Sequence, residues 1–148
     1  MEREIRFTIP GTPKGKARAR TFYNPKLGRM QSITPDNTML YENLIRTCYI
    51  QASSNKIQDM PVSITIHAVF EPPKSASAKN REAMFAGSIL PLKKPDIDNI
   101  AKVVLDALNG LAYHDDSQIV SLRVSKTYGA PEGVTVWINW EVEDDHTE

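Results

Sequence analysis

The chain has 148 residues, with 18 lysines and arginines balancing 18 aspartates and glutamates, and a single cysteine. That length suits one ordinary domain, which buries roughly two-thirds of its unfolded surface and needs no staples; the lone Cys48 excludes a disulfide framework and cysteine-based structural zinc. No apolar run is long enough to span a membrane and Met1-Glu2-Arg3-Glu4 does not open a signal peptide, which points to the cytoplasm.

The neutral total hides an asymmetry. After Glu4 the next acid is Asp36, and the interval holds Arg6, Lys14, Lys16, Arg18, Arg20, Lys26 and Arg29. The balancing acids gather at the other end, in Glu141, Glu143, Asp144, Asp145 and Glu148. A basic stretch masked by a neutral average is what a nucleic-acid surface looks like in sequence.

In chain order, the first strand is expected over residues 3–9. Pro10, Gly11, Pro13 and Gly15 then break periodicity, so residues 10–30 read as a basic loop. Phe22 and Tyr23 interleave with its charges; stacking on unpaired bases is one use for them, packing in a short strand the commoner one. Thr34-Pro35-Asp36 starts a helix with Pro at its first position, and Met39, Leu40, Leu44, Ile45 and Cys48 continue at helical spacing to about Ala52. Over 61–71, Val62, Ile64, Ile66 and Ala68 alternate with Ser63, Thr65 and His67, a half-buried strand in which His67 is structural. Residues 77–85 suit a short helix. A second basic stretch, Lys74, Lys79, Arg81, Lys93 and Lys94, is interrupted only by Glu82.

The next helix begins after Pro95, which disfavours helical geometry for Lys94, and stops at Gly110. Ile97, Ala101, Val104 and Leu108 form its apolar stripe, while Asp98, Lys102 and Asp106 share another. Residues 118–128 and 133–142 read as two strands of a hairpin turned at 129–133, before an acidic tail at 143–148 that frays. The order gives an α/β domain with a mixed sheet flanked by helices, single over 1–148.

The chemistry concentrates where that helix opens, in Lys93-Lys94-Pro95-Asp96-Ile97-Asp98-Asn99-Ile100-Ala101-Lys102, and in His114-Asp115-Asp116-Ser117-Gln118. Mg²⁺ prefers oxygen ligands, is held by one or two carboxylates and fills its other positions with water and phosphate, so acids from two neighbouring elements suit one or two ions. Asp96 alone is explained equally well as a helix cap, since the macrodipole favours acids in the first turn. That account covers Asp98 less well, and Asp115 and Asp116 not at all. Positive charge flanking the acids is what a site needs to admit a polyanion.

The runs Pro-Asp-Ile-Asp-Asn-Ile-x-Lys, Leu-Asp-Ala-Leu-Asn-Gly and Asp-Asp-Ser-Gln-Ile-Val, with a strand ending Val-Ser-Lys, resemble the RusA family of Holliday junction resolvases, often carried by phages and prophages. The match is close over about 93–126 and looser at the opening Ile-Pro-Gly-Thr-Pro-Lys-Gly-Lys-Ala-Arg-Ala-Arg; residues 31–90 follow the family in layout only. The resemblance implies a homodimeric α/β nuclease that makes paired nicks in four-way DNA junctions using Mg²⁺, as one or two ions for which Mn²⁺ is a candidate substitute. It implies that Asp96, Asp98 and Asp116 bind metal and that Lys102 is the catalytic lysine. Asp115 matches the first member of the acidic pair, without a settled role. His114 reads as an exposed turn residue. Asn99 is a candidate to orient water or to cap the helix, and Lys14, Lys16, Arg18, Arg20, Lys93 and Lys94 are candidates for DNA contact. Two alternatives stand beside this: a general or flap-type metal-dependent nuclease, and a non-catalytic DNA-binding protein.

Overall fold

A computed structural model describes residues 1–17, 20–33 and 35–143, with nothing on the side chain of Arg20. The expected Arg18 contact and residues 144–148 of the acidic tail lie outside the described residues. Four strands form a mixed sheet in the order β1 (Glu2–Pro10), β6 (Gly133–Glu141), β4 (Val62–Phe70), β5 (Ile119–Tyr128). β6 runs antiparallel to both β1 and β4, and β4 pairs in parallel with β5. The crossover from β4 to β5 carries α2 (Ala78–Phe85) and α3 (Ile97–Leu108), while α1 (Asp36–Ala52) connects the N-terminal part to β4.

The period-two pattern fixes which face is buried. Phe7, Val136, Ile66 and Val124 align across the sheet in one row, and Ile5, Ile138, Ile64 and Leu122 in another. Apart from Leu122, which stays exposed, these side chains meet Tyr41, Ile45 and Tyr49 of α1 and Ile100, Val103, Val104, Ala107 and Leu108 of α3 to form the core. The opposite face is polar: Thr8 hydrogen-bonds Thr135, Arg6 lies 5.4 Å from the centre of the Trp137 ring, and His67 reaches Ser125 at 2.6 Å and Thr127 at 2.9 Å. His67 is structural, as its position on the polar side of β4 implied.

Three expectations change. β5 and β6 do not pair as a hairpin, because β4 lies between them. Their connection instead crosses the end of β4, where Gly129 donates its N–H to the Phe70 carbonyl and Glu132 accepts from the Glu71 N–H. The basic stretch 10–30 is not one loop: β2 (Arg20–Asn24) and β3 (Arg29–Ile33) form a separate hairpin turned through Gly28, whose φ of 64° suits glycine. On that hairpin Phe22 and Tyr23 are exposed, so they do not pack as a buried strand would. Finally, α1 is rotated from the expected stripe. Met39 and Leu40 face outward at 50% and 69% exposure, and Thr38, Tyr41, Glu42, Ile45 and Tyr49 face inward. Pro35 sits one position earlier than expected, at the N-cap. Ile97 likewise stays exposed at the start of α3, where the rest of its stripe, Ala101, Val104 and Leu108, is buried as expected.

Residues 13–17 run as a strap over the first turn of α3. Lys16 donates its backbone N–H to the Asn99 carbonyl at 2.9 Å, and a Cβ on Gly15 would stand 2.8 Å from the Pro95 Cβ and 2.9 Å from the Asn99 Cβ. Those neighbours are anchored to backbone and have no rotamer by which to retreat. Gly15→Ala is therefore expected to destabilise the protein by about 1–3 kcal/mol, lowering Tm by roughly 2–4 °C for each of them. Thermal unfolding followed by circular dichroism checks this; an unchanged Tm would mean that the strap can lift at no cost.

Candidate active site

α3 begins where the sequence stops it from beginning earlier. Asp96 is its N-cap with extended backbone, but its carboxylate makes no capping hydrogen bond, so the cap position does not use up the side chain. The residues leading in are held by Lys126, which donates to the carbonyls of Lys93 at 2.8 Å and Pro95 at 3.2 Å. Lys126 reaches them because it shares the helix-facing row of β5 with Ala68 and Val134. Its place in the strand ending Val-Ser-Lys was visible in sequence; its use as a clamp depends on sheet register and was not.

The second acidic element is fixed just as firmly. Gln118 accepts the N–H groups of His114 and Asp115 through Oε1, and donates through Nε2 to the carbonyls of Ile57 and Met60. Asp115 accepts the Ser117 N–H, completing a capping box over the single 3-10 turn Asp116–Gln118. Hydrogen bonding to Ser117 holds the Asp115 carboxyl below its ordinary range. Asp115 thus shapes the turn, and Asp116 is the member of the pair that faces the cleft. His114 is exposed, as expected.

Between α3 and β5 lies a cleft of about 540 Å³ lined by Asp98, Lys102, Asp106 and Asp116 over an apolar wall that includes Ala101, Leu105 and Leu122. The structure brings Asp98, Lys102 and Asp116 together here, and adds Asp106, whose helical spacing from Asp98 and Lys102 was the signal for it. Asp96 is not in this cleft. It lines a neighbouring one of about 360 Å³ with Lys14, Lys16, Lys94 and Asn99, and lies 3.7 Å from the Lys94 ammonium. Among the described residues, no three of His, Cys, Asp and Glu gather closely enough to hold a metal between them. Mg²⁺ asks for less than that, since one or two carboxylates suffice when water and phosphate fill the remaining positions, and the all-oxygen donors Asp98 and Asp116 fit it.

The expected DNA-contacting cations divide. Lys14 and Lys94 are exposed at the rim of the smaller cleft. The Lys93 ammonium lies 5.2 Å from the centre of the Phe70 ring. Lys16 turns inward: its ammonium is 2.5 Å from Glu42 Oε1 and 3.3 Å from Asp106 Oδ2.

Partial burial raises the Asp116 carboxyl above its ordinary value, and the charges of Asp106 and Asp115 add to the effect; the nearby Tyr113 hydroxyl and the charge of Lys102 oppose it. Buried Tyr113, whose hydroxyl donates to the Leu105 carbonyl at 2.9 Å, is itself pushed upward by burial and by Asp116. A carboxyl with a raised folded-state pKa weighs against folding when ionised. That burden lifts as pH falls through the folded value and is gone below the unfolded value near ~3.9. Asp116→Asn should therefore raise Tm at pH 7, with the gain fading on acidification. Differential scanning calorimetry across pH 3.5–7.5 measures it, and a lower Tm at pH 7 would show that ionised Asp116 stabilises the fold.

A family model described as "Endodeoxyribonuclease RusA" matches residues 10–139. The chain is also 35% identical over 136 residues to "Uncharacterized protein YqaN" of Bacillus subtilis (strain 168), a match covering 90% of this chain and 94% of that protein. Among the described residues, no helix is long and apolar enough to cross a membrane.

Proposed function

The chain belongs to the RusA endodeoxyribonuclease family, and from that premise we propose that it resolves four-way DNA junctions by paired, Mg²⁺-dependent hydrolysis of phosphodiester bonds. The observation that carries this reading is the cleft between α3 and β5 in which Asp98, Lys102 and Asp116 converge from two separate elements. Asp98 and Asp116 would hold the ion, which when bound supplies Lewis acidity to the phosphodiester and to the attacking water. Asp96, one position outside the helix, stands ready at the edge of the neighbouring cleft as the third carboxylate of the set.

Lys102 has the role of a positioned cation. Its side chain is 62% exposed and its ammonium stands 3.9 Å from Asp106, too far for a hydrogen bond, so its charge remains available to a phosphate oxygen or to the leaving oxygen. Lys14 and Lys94 flank the acids and lower the repulsion that a DNA backbone meets on approach. Asn99 lines the smaller cleft with them, on the DNA side of the helix start.

A homodimer completes the reading, because a junction has two symmetry-related cleavage points and a two-fold protein offers two equal sites. The outward Met39 and Leu40 on α1, and Ile97 with Val120 and Leu122 beside the open edge of β5, are apolar surface of the kind a second chain covers.

The test uses an end-labelled synthetic four-way junction, with linear duplex of one arm beside it. The wild type should nick opposing strands of the junction only when Mg²⁺ is present. Asp98→Asn should bind the junction normally yet cut it on the order of 10²-fold more slowly or worse. Equal cutting of duplex and junction would leave a general nuclease, and binding without cutting under any divalent metal a DNA-binding protein. Lys14→Ala with Lys94→Ala should flatten the dependence of junction affinity on salt by roughly two contacts' worth. An unchanged slope would remove both lysines from the DNA path.

A further inference from the structure

We propose that Lys16 is a positioning residue of the cleavage site, taking up the charge of Asp106 so that Lys102 stays available to the scissile phosphate. This rests on the reading that Lys102 serves cleavage. The geometry is a chain of alternating charge. Arg46 lies 3.4 Å from Glu42, Glu42 Oε1 is 2.5 Å from Lys16, Lys16 is 3.3 Å from Asp106 Oδ2, and that same oxygen is 3.9 Å from Lys102. Arg46 is itself anchored on α3 by a hydrogen bond to the Ala107 carbonyl at 3.1 Å.

Asp106 Oδ2 thus stands between two ammonium groups, and it sits closer to the more sheltered one. The Lys16 side chain is 18% exposed, against 62% for Lys102. Attraction strengthens where water is excluded, so the inner cation holds the carboxylate more firmly than the outer one does. Burial alone would pull the Lys16 pKa down, yet the hydrogen bonds and charges of Glu42 and Asp106 outweigh it and leave the group above its ordinary value. For Lys16 to reach a DNA phosphate it would have to abandon Glu42, which is only 8% exposed, and leave that carboxylate with Arg46 alone.

Without the Lys16 ammonium, Asp106 keeps, among the described residues, one ion-pair partner, Lys102, at the i,i+4 spacing that favours an ion pair on a helix. The outer lysine then closes onto Asp106, and its charge is spent there. The strap itself does not depend on the side chain, because the Lys16 backbone N–H is bonded to the Asn99 carbonyl and Gly15 is wedged against Pro95.

The experiment compares wild type, Lys16→Met, and Lys16→Met with Asp106→Asn. Each is measured for single-turnover cleavage of the synthetic junction in Mg²⁺ and for the salt dependence of junction binding. Because Lys16→Met takes the nearer of two cations from the Glu42 carboxylate, the same set is made in a Glu42→Gln background, where that charge is absent. Lys16→Met should slow cleavage by between about 10- and 100-fold while leaving affinity and its salt slope as in the wild type. Adding Asp106→Asn should restore most of the rate, since the carboxylate that Lys102 would close onto is then gone. A slope lowered by about one contact would make Lys16 a phosphate ligand and overturn the proposal. So would a second substitution that fails to restore cleavage in both backgrounds. A wild type that cuts no junction fails the functional reading and takes the proposal with it, whereas a wild type that cuts without rescue in the double variant sinks the proposal alone.

Discussion

A carboxylate inside a folded chain has to be met by positive charge and hydrogen bonds, and the placement of Glu42 makes that requirement the organising constraint of this molecule. Glu42 lies on the inward face of α1, which packs on α3 and β1. Lys16 meets it from the strap and Arg46 from one turn along its own helix. Because Lys16 must be there, residues 13–17 lie across the opening of α3. Because the strap is there, Gly15 can carry no side chain and Asn99 gives its carbonyl to a neighbour outside the helix. One buried charge thus joins an otherwise irregular segment to the two helices, and fixes the distance between the basic stretch and the acidic cleft.

What was readable in sequence follows from how local the cause is. The alternation of β4 and the apolar face of α3 are properties of contiguous residues, and both appear where the pattern put them, save for Ile97, which is exposed at the helix start. The partnering of β5 was not legible, since a short Gly/Pro-containing connection between two strands looks the same whether they are adjacent or straddle a third; only the far-off segment 62–70 decides, by inserting itself between them. The inward face of α1 was misread for a related reason. Met39, Leu40 and Leu44 score as core by hydrophobicity, but Thr38 and Glu42 take the buried positions because distant partners, the backbone of Ala17 and the ammonium of Lys16, make polarity tolerable there.

The candidate site divides along the same line. Asp98, Lys102 and Asp106 are spaced by helical turns, so their common face is set by sequence. Asp116 joins them through Gln118: two of its four hydrogen bonds cap the 3-10 turn from His114 and Asp115, and the other two pin that turn to the carbonyls of Ile57 and Met60, a tertiary fact with no local signature. Asp96 departs from the group because it precedes the helix: an N-cap has extended backbone, and its side chain leaves in a direction that helical periodicity does not govern. Asp96 and Asp98 stand two residues apart in sequence, while the fold places them on adjoining clefts that share the first turn of α3.

The two clefts make sense together as a gradient of charge. Lys14 and Lys94 stand at the outer side, Asp98, Asp106 and Asp116 at the inner side, with Lys102 exposed among the acids. The charge of Asp106 adds to the cost of ionising Asp116, and a site in which carboxylates repel is one that gains from binding a cation. The same repulsion tends to draw Lys102 inward as a counter-ion, which would neutralise the site by consuming the group needed for a phosphate. On the proposed reading Lys16, the more sheltered lysine beside Asp106, eases the conflict by taking up that acid's charge, which leaves Lys102 exposed among the others. A neutral chain with its charges so arranged can hold a polyanion and a cation at one place, which its overall composition gives no reason to expect.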